Sequence, residues 1–85
     1  MKDNAFKVGG LYTVNAAMFA YDDNPYVMNQ RLTYKTITPK DAFIVLDYFL
    51  HSQGKSVIFI LKVLFKDKIK FLVATENNLI EFKEN

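Results

Sequence analysis

Few side chains in this sequence could do chemistry, and their spacing argues against most reactions. His51 is the single histidine and there is no cysteine. No His pair and no thiolate is therefore available to a metal, and a nucleophilic dyad would have to use a hydroxyl. Ser52 and Ser56 are the hydroxyls nearest His51. Ser52 lies in, and Ser56 directly after, the stretch His51-Ser52-Gln53-Gly54-Lys55, which reads as a polar loop and would hold an acid–base pair poorly. Asp22-Asp23-Asn24 gathers oxygen ligands, but the D-x-D-x-D-G spacing and distant bidentate Glu of a calcium loop are missing. Gly9-Gly10 lacks the third glycine and following helix of a phosphate cradle, and reads as a bulge or kink in a strand. No catalytic residue, cofactor or metal is expected, and the chain reads as non-enzymatic.

Two sets of residues are better suited to binding. Tyr21 and Tyr26 flank the Asp22-Asp23-Asn24-Pro25 turn, Tyr34 follows it, and Tyr48 lies in a later apolar segment. Tyrosine combines a rigid apolar body with a polar tip, which is why it is enriched at the centres of interfaces. Tyr21, Asp22, Asp23, Tyr26, Tyr34 and Tyr48 are therefore the candidate protein-binding residues, several of them on a long loop. The second set is Lys62, Lys66, Lys68 and Lys70, interrupted by Asp67. Aromatics beside such lysines could stack bases while the ammonium groups follow a phosphate backbone. Lysines at a hairpin tip also serve to block edge-to-edge pairing of sheets.

The elements that must position these residues are strands. Ser56 to Val73, SVIFILKVLF-KDK-IKFLV, holds two apolar, β-branched and aromatic runs around three charged residues, the pattern of a hairpin. Val57, Phe59, Leu61, Val63 and Phe65 share one face of its first strand. Ile58, Ile60 and Leu64 share the other with Lys62, so both faces need a cover, from the long loop or from another chain. Phe6 to Val14 reads as an opening strand around the glycine pair, and Met18 to Tyr21 as a second extended piece. Val27 to Thr38 reads as a strand with β-formers on both faces, which leaves its inward face open. Thr38-Pro39-Lys40-Asp41 is a turn signal. Ala42 to Leu50, AFIVLDYFL, reads as a strand, with a Thr-capped helix starting at Pro39 as the competing reading. Leu79 to Lys83 closes the chain as a last strand.

Eighty-five residues make one domain, residues 1–85. Half the residues are hydrophobic and thirteen are Phe or Tyr, enough to pack a core with no disulfide or metal. The net charge of +2 is low for a nucleic-acid-binding domain, and ten of the eleven cations are Lys. Arg, which offers a bidentate fork to phosphate and carboxylate, occurs once. MKDNAFKVGG carries no apolar core of a signal peptide, and no apolar run approaches the ~18–20 residues of a membrane span. A soluble protein of the cytoplasm is expected, in the host if the chain is viral.

Five or six short strands separated by turns suggest an all-β small barrel or sandwich. The order of segments resembles the SH3-like small barrel. KVGGLYTV looks like that family's opening strand, Met18 to Ile37 its long loop, and ITPKDAFIVLDYF its turn-then-strand. The Ser56–Val73 hairpin is similar to its two distal strands, and TENNLIEF to its one-turn helix and closing strand. The groove Trp and the Pro near the short helical turn have no counterpart here, so the resemblance implies the fold and a protein-binding role rather than proline-rich ligands. The V-G-x-x-Y opening and N-N-L-hydrophobic close also resemble small accessory proteins of tailed phages. The expectation is a non-catalytic protein-binding module, a phage-encoded accessory or inhibitor acting on a host or virion protein, with another protein or a second copy of the chain on the doubly apolar strand. The alternative is a weak single-stranded nucleic-acid binder using the lysine-rich hairpin.

Overall fold

A computed structural model describes residues 5–26 and 32–85. The Ser56–Phe65 segment is a strand, β5, and it is hydrogen-bonded along its length on both sides. Its neighbours are β4 (Ala42–Gln53) and β6 (Lys68–Thr75). Around this three-stranded centre lie β1 (Leu11–Val14), β2 (Met18–Tyr21), β3 (Tyr34–Ile37) and β7 (Phe82–Glu84). All seven form one antiparallel sheet in the order β3-β2-β6-β5-β4-β1-β7, curled into a half-barrel. The described residues are all-β, as the alternating patterns predict, with seven strands among them against the expected five or six.

The inner face is the core. Phe43 and Val45 of β4, Phe59, Leu61 and Val63 of β5, and Leu72 and Ala74 of β6 are almost wholly buried there. Phe6, from the segment before β1, lies across the concave side with its ring 5.2–5.9 Å from those of Tyr12, Tyr48, Phe59 and Phe82. These are mostly edge-on contacts, the geometry the ring quadrupoles favour. The buried Tyr12 hydroxyl accepts a hydrogen bond from the Lys7 backbone N–H at 2.7 Å, so its polar tip is satisfied.

Local chemistry explains the joints. Ala42 to Leu50 is strand, as its β-branched and aromatic residues favour, and β4 runs on to Gln53. His51 is therefore a strand residue and not part of a loop. The connection to β5 is only Gly54-Lys55, with Gly54 at φ 63° in the first turn position, where glycine suits the hairpin twist. The β5–β6 connection likewise shrinks from the expected three charged residues to two, because Phe65 and Lys68 are already register partners.

The glycine pair is not a bulge in a strand. Gly10 N–H donates to the Lys7 carbonyl at 3.0 Å, closing a turn whose third residue is Gly9 at φ 86°. A Cβ on Gly10 would stand 2.9 Å from that carbonyl oxygen. The bulge lies opposite, on β4, where the register shifts between Val45 and Asp47. Of the expected Val27–Thr38 strand, Tyr34–Ile37 forms, with Ile37 buried inward; residues 27–31 fall outside the described residues. Leu79–Glu81 is one 3₁₀ turn, and only Phe82–Glu84 pairs as the last strand.

Two turns yield predictions. Lys66 and Asp67 both occupy left-handed backbone, at φ 51° and 65°, which a two-residue hairpin turn requires and which Asn-Gly accepts at lower cost. The double substitution Lys66→Asn, Asp67→Gly is expected to raise stability by about 1 kcal/mol in urea unfolding. In the 38–41 turn, Asp41 accepts from the Thr38 backbone N–H at 2.8 Å and from its hydroxyl at 3.1 Å. The backbone bond above all holds the Asp41 carboxyl below its ordinary value, against an opposing desolvation, with the hydroxyl bond and the Lys66 charge adding to the lowering. A depressed acid contributes stability that is present above its unfolded pKa, near 3.9, and lost as pH falls through the lower folded value. Melting curves from pH 6 to 2 should show Asp41→Asn less stable than the parent at pH 6, the gap narrowing at the acid end.

Candidate functional site

The β2–β3 ribbon owes its two faces to alternation. Ala20 and Ile37 point into the core and are fully buried, while Phe19, Tyr21 and Tyr34 point outward. Tyr21 and Tyr34 are register partners, and Phe19 lies one step along. Their rings form a cluster, with centroids 4.4 Å apart for Phe19–Tyr34, 6.1 Å for Tyr21–Tyr34 and 6.4 Å for Phe19–Tyr21. Phe19 and Tyr34 remain 50% and 52% exposed, large for packed aromatic rings.

Beside the cluster the sheet opens. β2 meets β6 at a single register pair, Tyr21 with Phe71. Past it the strands part, leaving an open, mainly apolar pocket of about 290 Å³ walled by Met18, Phe19, Thr36 and Val73. An aromatic cluster with hydroxyl tips next to a shallow apolar pocket is suited to receiving an apolar side chain of another molecule.

The loop after β2 is tied down. The Lys70 ammonium, its side chain nearly buried on the inner face of β6, is ion-paired with the Asp22 carboxylate. Asp22 N–H donates to the Thr33 carbonyl at 3.1 Å. Asp23 accepts from the Asn24 N–H, and Asn24 from the Tyr26 N–H, side chains folding the turn onto itself. The Tyr26 ring then stacks on His51 at 4.8 Å. His51 is the register partner of Ile58 on β5. A loop leaving β2 must pass β6 and β5 to reach it, and so this loop helps to cover the outer side of the doubly apolar strand.

The six protein-binding candidates consequently separate. Tyr21 and Tyr34 come together and gain Phe19, which the sequence reading missed although it alternates with Tyr21 along MFAY. Asp22 is engaged by Lys70, and exposed Asp23 by its own turn. Tyr26 sits over His51. Tyr48 points inward, its ring 5.5 Å from Phe6 and 6.2 Å from Phe59. The four lysines separate too. Lys62 stands opposite Asp47 on the outer face, and Lys66 lies over the Phe65 ring at 5.2 Å. Lys68 is exposed on β6, two residues from buried Lys70. His51 and Ser52 point to opposite faces of β4 as consecutive strand residues do. Ser56 is diagonal to His51 in the register, a separation of about 7–8 Å. Among the described residues no three His, Asp or Glu gather as a metal site, and no helix is long and apolar enough to cross a membrane.

Compared with known proteins, the chain matches no family model, no curated protein and no solved structure.

The Lys70–Asp22 pair carries a prediction of its own. Removing Asp22 leaves an ammonium in the inner face without its partner, whereas replacing Lys70 with an apolar residue removes the need for one. Asp22→Asn should cost about 1–2 kcal/mol, Asp22 being partly exposed to solvent. Lys70→Met should stay within about 1 kcal/mol of the parent, both read from urea midpoints.

Proposed function

We propose that the chain is a non-catalytic protein-binding module of the SH3-like small-barrel type, which captures another protein through the outward face of its β2–β3 ribbon. The observation that carries this reading is the Phe19–Tyr21–Tyr34 cluster, half-exposed beside the pocket between β2 and β6. Apolar rings held outward on strands are costly in water and favourable at an interface centre. The strand order supports the architecture: β4-β5-β6 is a meander, the first strand β1 lies between β4 and the last strand β7, and the β2–β3 ribbon stands in the place of the long loop. The likeness to phage accessory proteins rests on the sequence pattern, and makes a host or virion protein the partner to seek.

The rival reading, a single-strand nucleic-acid binder, would rest on Lys66 and Lys68, because Lys70 is engaged by Asp22 and Lys62 faces Asp47. The two readings part in one experiment. The chain is immobilised and challenged with a peptide array and with single-stranded DNA and RNA at low salt. Extended peptides with apolar or aromatic anchors should bind, and Phe19→Ser and Tyr34→Ser should each weaken binding roughly 10-fold or more with little change in the melt. Binding that both substitutions leave intact would count against the ribbon. Binding of single strands lost in Lys66→Ala, Lys68→Ala and falling steeply with salt would favour the rival.

A further inference from the structure

β3 ends the sheet, so one of its two edges has no strand beside it. Backbone groups on an antiparallel strand point to one side and the other in turn. Asp22 N–H donates to the Thr33 carbonyl at 3.1 Å, so Thr33, and in step with it Lys35 and Ile37, bond toward β2. Tyr34 and Thr36 therefore turn their N–H and C=O groups away from β2, to an edge that no other described backbone group bonds. Two donors and two acceptors stand there in line. The next donor of the same parity, the Thr38 N–H, is taken by the Asp41 carboxylate at 2.8 Å, which ends the row.

Sheet edges are usually blunted by shortness or charge. β7, at the other end of the sheet, has three residues, of which Lys83 and Glu84 are charged. β3 has a single charge, Lys35, which shares the core-side face with Ala20 and Ile37 but stands exposed at the rim. Among the described residues the Lys35 ammonium is in no ion pair; those formed are Lys7 with Glu84 and Lys70 with Asp22. A cation so placed repels basic strands and favours an acidic one.

We infer, on the footing of the ribbon reading, that the partner is held by strand addition: an extended segment of another protein runs antiparallel to β3, hydrogen-bonds to Tyr34 and Thr36, and carries an Asp or Glu opposite Lys35. Opposite residues of neighbouring strands share a face, so the residues flanking the acid lie on the outer side with the exposed rings. In chain order the segment reads β-branched, acidic, aromatic. The first stands opposite Thr36, the acid opposite Lys35, and the aromatic ring opposite Tyr34, where it extends the Phe19–Tyr21–Tyr34 cluster. Main-chain bonds then give affinity and alternate side chains give specificity. Lys35 also decides against a second copy of this chain. Two β3 edges that use all their free groups must match Tyr34 with Thr36, which sets Lys35 directly against the partner's Lys35.

The probe is an end-capped peptide, Thr-Val-Glu-Phe-Thr, titrated into the full chain and followed by NMR. Binding should slow hydrogen exchange at the Tyr34 and Thr36 amides and leave that of Lys35, already bonded to β2, unchanged. N-methylation of the peptide's Val or Phe, whose N–H groups face β3, should weaken binding about 10-fold, and N-methylation of its Glu, whose N–H faces away, should not. Thr36→Pro removes an edge donor where an edge strand tolerates proline, and should fold and bind about 10-fold more weakly. Lys35→Glu should lose the acidic peptide and take Thr-Val-Lys-Phe-Thr instead. Binding indifferent to N-methylation and to Thr36→Pro, yet lost in Phe19→Ser, overturns strand addition and leaves the ribbon reading standing. Capture of other peptides while this one is ignored does the same. A chain that binds no peptide at all removes both. A dimer of the chain that Thr36→Pro dissolves overturns the inference by giving the edge to a second copy.

Discussion

β5 must be covered on both faces, and most of the structure answers that requirement. Eight of its ten residues are hydrophobic, and the run Ile58–Leu61 is buried without a break. On the inner side the cover is the core, completed by Phe6 lying across Tyr48, Phe59 and Phe82. On the outer side it is assembled from the flanks: Phe49 and Val73 beside Ile60, His51 and Thr75 beside Ile58, with Tyr26 stacked on His51. Ile58 and Ile60 retain 5% and 1% exposure in consequence. Burial of such side chains is worth about 1.5–3 kcal/mol each.

That loop ties fold to function. Its start is anchored by Lys70–Asp22 and its Tyr26 by His51, so the β2–β3 ribbon leaves the sheet in a fixed direction with only one register pair to β6. The same splay opens the pocket and holds Phe19 and Tyr34 outward. These anchors in the loop after β2 support the cluster from one end, which lowers the entropy lost on binding.

Much of this was legible in the sequence. The β5–β6 hairpin, the 38–41 turn and the strand from Ala42 follow from local alternation and turn chemistry, which act over a few residues. What was not legible depends on long-range placement. Nothing local in FKVGG says that Phe6 will lie across the barrel, or that Gly9 and Gly10 turn toward a bulge on β4. Lys70 reads as one of four solvated lysines until β2 brings Asp22 to it. Phe19 could have been found, since it alternates with Tyr21 on a strand whose other face is small and apolar. The six tyrosine and aspartate candidates were grouped by nearness in sequence, and the curl of the sheet, which sequence spacing does not encode, separated Tyr26 and Tyr48 from Tyr21 and Tyr34.

β5, covered on both sides, should be the last element to open. Residue-resolved amide hydrogen exchange measures it directly. Amides from Ile58 to Leu64 are expected to exchange most slowly, at a free energy equal to that of global unfolding, while β3 and β7, each paired on one side, open first. Amides of Ile58 and Ile60 exchanging through a smaller opening than those of the β2–β3 ribbon would contradict it, since the outer cover would then contribute nothing to the strand it is said to protect.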